Sequence, residues 1–253
     1  MLLLIRNSQG SCRGGRIRPP GPDECLRAYE RLLAAAAVSA VLAATLCVKM
    51  AAVDLPADVK SLAAAVDAHY NHMRTLQAEF TELYRGAGAE RTESGTLWLK
   101  KPGKMRWEYR SPREKLFVSD GRDAWFYVPS DRQARKTAAR KLEDIRSPLA
   151  FLLGKTRLEK ELQGLSLAPD VTPLEAGDVV LRGVPQGYED RISEIQLEIS
   201  PAHQIVRMII EDPDGSATDY RFGDQKEDIQ VSDSKFEFQP PAGTETVEGG
   251  LGP

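Results

Sequence analysis

The chain has 253 residues, 42% hydrophobic, 28% charged and 7% aromatic, with a formal net charge of −3. That is ordinary globular composition for one to two domains, and it excludes a multi-span membrane protein, a collagen-like repeat and a wholly disordered chain. No global basic field is available to hold nucleic acid, and with cysteine only at Cys12, Cys25 and Cys47 and histidine only at His69, His72 and His203, most thiolate, metal and triad chemistry is excluded as well.

Residues 1–31 contain SQGSCRGGRIRPPGPDE, a composition that reads as a disordered extension or a start assigned too far upstream. Residues 32–52 open with the apolar run LLAAAAVSAVLAATLCV, with Arg27 and Arg31 ahead of it and Ala51-Ala52 behind it. A positive start, an apolar middle and a small-residue exit predict a secretory signal cleaved near Ala51 or Ala52. Its alanine richness makes it a weak membrane span. Leu46 is a poor fit to the small residue expected before a lipid-attachment cysteine, so Cys47 is not assigned that role. Residues 53–253 are then one exported, mildly acidic domain.

In that domain Val59, Leu62, Ala63, Val66, Tyr70, Met73 and Leu76 recur at steps of three and four, which predicts an amphipathic helix with Asp58 as its N-cap. From Gln77 the period changes to two. Strands are expected over 77–84, 92–100, 105–109, 115–119, 124–128 and 133–137, with turns at Gly86-Ala87-Gly88, Lys101-Pro102-Gly103, Ser111-Pro112 and Asp120-Gly121-Arg122. Residues 141–153 interrupt them. Ser147-Pro148 has the form of an N-cap with proline in the first turn, and Leu149, Ala150, Phe151, Leu152, Leu153 and Gly154 follow. Strands resume over 165–168, 178–183, 192–199, 205–211, 217–222 and 235–238, after which Pro240-Pro241 is expected to end the regular structure. An antiparallel sheet of this size must curl or close, and helices must cover the apolar face it leaves.

One ordered series stands out: Gly95-Thr-Leu-Trp98-Leu-Lys-Lys101-Pro102, then Met105-Arg-Trp107, Val118-Ser-Asp120-Gly121, Trp125-Phe-Tyr127-Val-Pro129, Ser147-Pro148, and Lys235-Phe236-Glu-Phe238-Gln-Pro240-Pro241-Ala-Gly243. In this order and spacing it resembles the periplasmic outer-membrane lipoprotein carrier family LolA over essentially the whole exported region. The resemblance implies a mainly β fold with a helical lid (α+β): an unclosed antiparallel β-barrel, here of about ten to eleven strands, over an apolar cavity. It also implies a carrier that receives lipoprotein acyl chains from an inner-membrane LolCDE-type extractor and delivers them to an outer-membrane LolB-type receptor. The expected cavity lining is Leu97, Leu99, Met105, Trp107, Tyr109, Leu116, Val118 and Trp125, with the choice between Trp125 and Phe126 open. The expected lid is Ile145, Leu149, Phe151, Leu152 and Leu153. Lys101 stands where the family has an arginine thought to bond lid carbonyls, and Met105 stands where many members have phenylalanine. Lys101 is therefore the expected latch, without the planar fork of arginine.

Against these stand plainer roles. The apolar stripes could be solid core, Lys101 a solvated turn residue, and Arg132, Arg135, Lys136, Arg140 and Lys141 a solvated linker. His69 and His72 are expected on a solvated helix face, with no metal and no cofactor. No nucleophile-elbow or other catalytic constellation is present, so the chain is not expected to be an enzyme, and it is expected to act as a monomer without nucleic acid. Two other roles remain open: a same-fold lipid-binding envelope-stress sensor or carrier of another lipid, and a ligand-free structural domain.

Overall fold

A computed structural model describes residues 59–139 and 157–249. The expected signal region 32–52, the N-cap Asp58, Arg140 and Lys141, and the lid residues Ile145, Leu149, Phe151, Leu152 and Leu153 lie outside them. Among the described residues no helix is long and apolar enough to cross a membrane.

The step-three-and-four stripe forms helix α1, Val59–His72, burying Leu62, Ala63, Val66 and Tyr70. Met73 and Leu76 extend the buried set beyond the helix into strand β1, Thr75–Gly86. The period-two stretches give β2 Ala89–Lys100, β3 Lys104–Ser111, β4 Lys115–Asp120, β5 Asp123–Val128 and β6 Gln133–Ala138. A short helix α2, Leu158–Glu161, leads into β7 Leu162–Leu167, β8 Val179–Pro185, β9 Glu194–Ile199, β10 Ile205–Glu211 and β11 Ala217–Glu227. A last strand, β12, is Glu245–Glu248.

The turns follow from their chemistry. Ala87 and Gly88 connect β1 to β2 with φ of 49° and 75°, the doubly left-handed two-residue loop whose twist matches that of paired strands. At the β4–β5 turn the Asp120 carboxylate accepts from the backbone N–H of Arg122 at 2.7 Å and of Asp123 at 2.8 Å, a local closure that aspartate favours.

All twelve strands described form one sheet in the order β12-β6-β5-β4-β3-β2-β1-β11-β10-β9-β8-β7. Neighbours are antiparallel except β12, which runs parallel to β6. The end strands β12 and β7 are not paired with each other, so the barrel is unclosed. In a flat sheet β3 and β8 would lie roughly 29 Å apart, six spacings of about 4.8 Å. Here Trp107 of β3 and Leu181 of β8 belong to one core with α1, which requires the sheet to curl around the helix.

Two expectations are corrected. Residues 235–238 are not a strand: Asp233–Phe236 is a 3-10 turn capped by Ser232. Regular structure also continues past Pro240-Pro241 into β12. That strand is fully exposed and has no apolar alternation to announce it.

Candidate functional site

Cross-strand partners in an antiparallel ladder share a face, so the register sorts the side chains. One inner row runs Leu76–Leu99–Met105–Ser119, the next Ala78–Leu97–Trp107–Phe117, and the next Phe80–Gly95–Tyr109–Lys115. Leu97, Leu99, Met105 and Trp107 are buried here against α1, and Tyr109 and Phe117 are half-buried at the margin. An aromatic cluster fills the centre. Phe80 lies edge-on to Trp107 at 4.6 Å and to Tyr109 at 4.9 Å, and Tyr220 and Phe222 of β11 lie 6.1 and 6.4 Å from Trp107. Gly95 makes room for this. A Cβ there would fall 1.9 Å from the Glu108 carbonyl oxygen and 2.9 Å from the Phe80 ring.

The register corrects part of the expected lining. Leu116 pairs with Glu108 and Tyr127, and Val118 with Arg106 and Trp125, so Leu116, Val118 and Trp125 lie on the outer face. Phe126, opposite Phe117, is the one on the inner side. The physical reason is a second apolar surface. Phe238 packs at 5.6 Å from Trp125 and 5.4 Å from Tyr127, and Phe236 is buried in the turn that packs on β3 and β4. Polar contacts fix this C-terminal strap. Asp233 bridges Lys100 at 2.7 Å and Lys104 at 3.0 Å, the Arg106 guanidinium donates to the Lys235 carbonyl at 3.0 Å, and the Lys235 ammonium sits 3.7 Å over the Trp98 ring.

Towards the β1–β2 hairpin the inner face turns polar. Glu82 and Glu93 are direct cross-strand partners, and both are buried. Tyr109 donates its hydroxyl to Glu82 at 2.9 Å, and Lys115 donates to both oxygens of Glu93 at 2.5 and 2.6 Å. Burial pushes the Glu82 carboxyl above its ordinary range. The Tyr109 hydrogen bond and the charges of Lys115 and Arg91 oppose that shift, and Glu93 adds to it.

Helix α1 is held over the concavity at both flanks. Asp67 accepts from the Leu158 backbone N–H with each oxygen at 3.2 Å. The buried Tyr70 hydroxyl accepts from the Ile205 N–H at 2.9 Å. The Lys101 ammonium donates to the Tyr70 carbonyl of α1; the lid it was expected to latch lies outside the described residues. Burial lowers the Lys101 pKa, and Asp228 works against the shift. Lys101 also borders an open groove of about 640 Å³ with Arg74, Lys100, Asp228 and residues 229–232.

All three histidines meet beside α1. His69, His72 and His203 line an open pocket of about 370 Å³ with Glu227 and Asp228. His69 Nε2 lies 3.0 Å from Glu227, and His72 Nδ1 lies 2.6 Å from the Ala68 carbonyl. Among the described residues no group of three or more His, Cys, Asp or Glu is placed to hold a metal. Lys136, from the basic run, pairs with Asp123 at 2.8 Å and lies over Trp125. Sequence reasoning missed Phe80, Phe117, Tyr220 and Phe222. For Phe80, Tyr220 and Phe222 the signal was their alternation, usable once β1 is known to pair with β11; Phe117 had none, because β4 is apolar on both faces.

The family described as "Outer membrane lipoprotein carrier protein LolA" matches over residues 71–239. A protein of Chromobacterium violaceum named "Outer-membrane lipoprotein carrier protein" is 31% identical over 219 residues, covering 86% of this chain and 97% of that one. Its namesake from Alkalilimnicola ehrlichii is 31% identical over 213 residues, covering 82% and 93%. An uncharacterized conserved protein from Thermus thermophilus shares the fold with a TM-score of 0.50 at 14% identity, covering 75% of this chain and 98% of that one.

Proposed function

The chain belongs to the LolA family of outer membrane lipoprotein carrier proteins, and from that premise we propose that it shields lipoprotein acyl chains in the concavity of its sheet while carrying them through the periplasm from the inner to the outer membrane. The observation that carries this reading is an inner face with a broad apolar part, Leu76 to Trp107, covered by helix α1, whose backbone accepts the Lys101 ammonium at the Tyr70 carbonyl. In this reading Leu97, Leu99, Met105, Trp107 and Tyr109 line the acyl site, joined by Phe80, Phe117 and Phe222. Lys101 is the latch, and Ile145, Leu149, Phe151, Leu152 and Leu153, which lie outside the described residues, are the lid of this reading.

Exposing an acyl chain to water costs about 0.8 kcal/mol per methylene, so a shield is the physical requirement of the journey. The sequence has no GxxxxGK[ST] phosphate loop. Loading is therefore driven by a LolCDE-type extractor, and unloading by a higher affinity of the acyl chains for a LolB-type receptor. The role is that of a non-enzymatic chaperone, delivered to the periplasm by cleavage near Ala51 or Ala52, which N-terminal sequencing of the secreted form tests. Depleting the protein and fractionating labelled lipoproteins tests the route: they should accumulate in the inner membrane. An unchanged distribution would overturn it.

A further inference from the structure

The inner face is graded along its strands. The Leu76–Leu99–Met105 row lies at the Lys101 end, and the Glu82–Glu93 pair lies towards the β1–β2 hairpin. Trp107 sits at the border, with Met105 on one side and Tyr109 on the other. It is 2% exposed, yet its indole N–H finds no acceptor among the described residues. Buried tryptophan N–H groups ordinarily have a partner, and an orphaned one is destabilising. Phe80 and Phe222 offer only ring faces, and the Tyr109 hydroxyl is engaged with Glu82. Replacing the indole by an apolar ring of similar shape would remove the orphan, so its presence needs an explanation of its own.

We propose that Trp107 Nε1–H is a ligand-reading donor that takes the ester or amide carbonyl at the root of an acyl chain, the tail running towards Met105 and Leu99 and the polar head lying towards Glu82 and Glu93. The proposal rests on the carrier reading and narrows its ligand from hydrocarbon in general to carbonyl-rooted chains. An acyl carbonyl is an acceptor with no charge to desolvate, so it can follow its tail into an apolar site at small cost. The same donor discriminates against a chain of equal length and volume that lacks the oxygen, because the indole then stays unpaired.

The test uses the exported chain, residues 53–253, with bound N-phenylnaphthylamine displaced either by methyl laurate or by dodecyl methyl ether, in which a methylene replaces the carbonyl. The ester should bind roughly fivefold more tightly, the scale of one net hydrogen bond. Trp107→Phe should abolish that preference, so that ester and ether displace the probe from the variant equally. An independent readout is the indole N–H resonance of Trp107 in the wild type: the ester should move it downfield and the ether should not. A preference that survives in Trp107→Phe, or an indole resonance that ignores the ester, overturns the proposal and assigns the N–H to a neighbouring ring face. Failure of both compounds to displace the probe would instead overturn the acyl-carrier reading itself, and this proposal with it.

Discussion

Glu82 is where the concave face works against the chain's own stability. Its carboxylate faces Glu93 directly across the ladder, an unfavourable like-charge pairing, and burial raises its pKa above the ordinary 4.5. The folded state therefore holds the Glu82 proton more tightly than the unfolded state does. Stability from this group is highest below the ordinary carboxylate range and is lost as pH rises from there through the raised value. Glu82→Gln, which still accepts from Tyr109, should raise Tm by a few degrees at neutral pH, with the gain vanishing in acid; a pH series of melts checks this. At Lys101 the expectation is kinetic. A hydrogen bond from a charged donor is worth roughly 1.5–3 kcal/mol. Lys101→Leu should therefore speed acyl-probe exchange about ten- to hundredfold, with a smaller effect on Tm. Lys101→Arg should keep exchange at or below the wild-type rate, because the guanidinium fork offers two donors to the helix end. Stopped-flow exchange separates these outcomes from a solvated Lys101, for which both variants would match the wild type.

Among the elements, the strap around Asp233–Phe236 does the most outside the concavity, since it gives the outer face of β3–β5 its own small apolar layer. Phe236 is 1% exposed, and Phe236→Ala should cost about 3–5 kcal/mol, visible in urea melts as a lower midpoint at unchanged slope. The same strap explains what the sequence could not reveal. The helix and most strands are legible because each has one apolar face, and its period of 3.6 or 2 marks it. In β4 and β5 both faces are apolar, so alternation cannot say which one points inward, and Leu116, Val118 and Trp125 read as lining. Phe236 and Phe238, two apart, mimic a strand while one is buried and the other packs edge-on to Trp125 and tilted against Tyr127 without a ladder. Trp107 and Met105 were legible because Arg106 and Glu108 alternate with them and are charged. The role of Tyr70 as the Lys101 acceptor was not, because a backbone carbonyl leaves no trace in residue type.

At the scale of the whole molecule, protection should follow the strand order. β1 and β11 lie in the interior of the sheet, with a long ladder between them, and they border the densest core. Their amides should exchange slowest, near the global unfolding limit, while β12 and β7, each paired on one side only among the described strands, should exchange first; hydrogen–deuterium exchange resolved by peptide checks that ranking. The two unpaired ends have a further mechanical meaning. A closed barrel has its radius set by strand number and shear, so it cannot swell without breaking a seam of hydrogen bonds. Here no described strand joins β7 to β12 across the gap. The wall can relax its curvature like a leaf spring, every ladder staying intact, and in the carrier reading proposed above the enclosed volume becomes an adjustable quantity that cargoes of different girth could share.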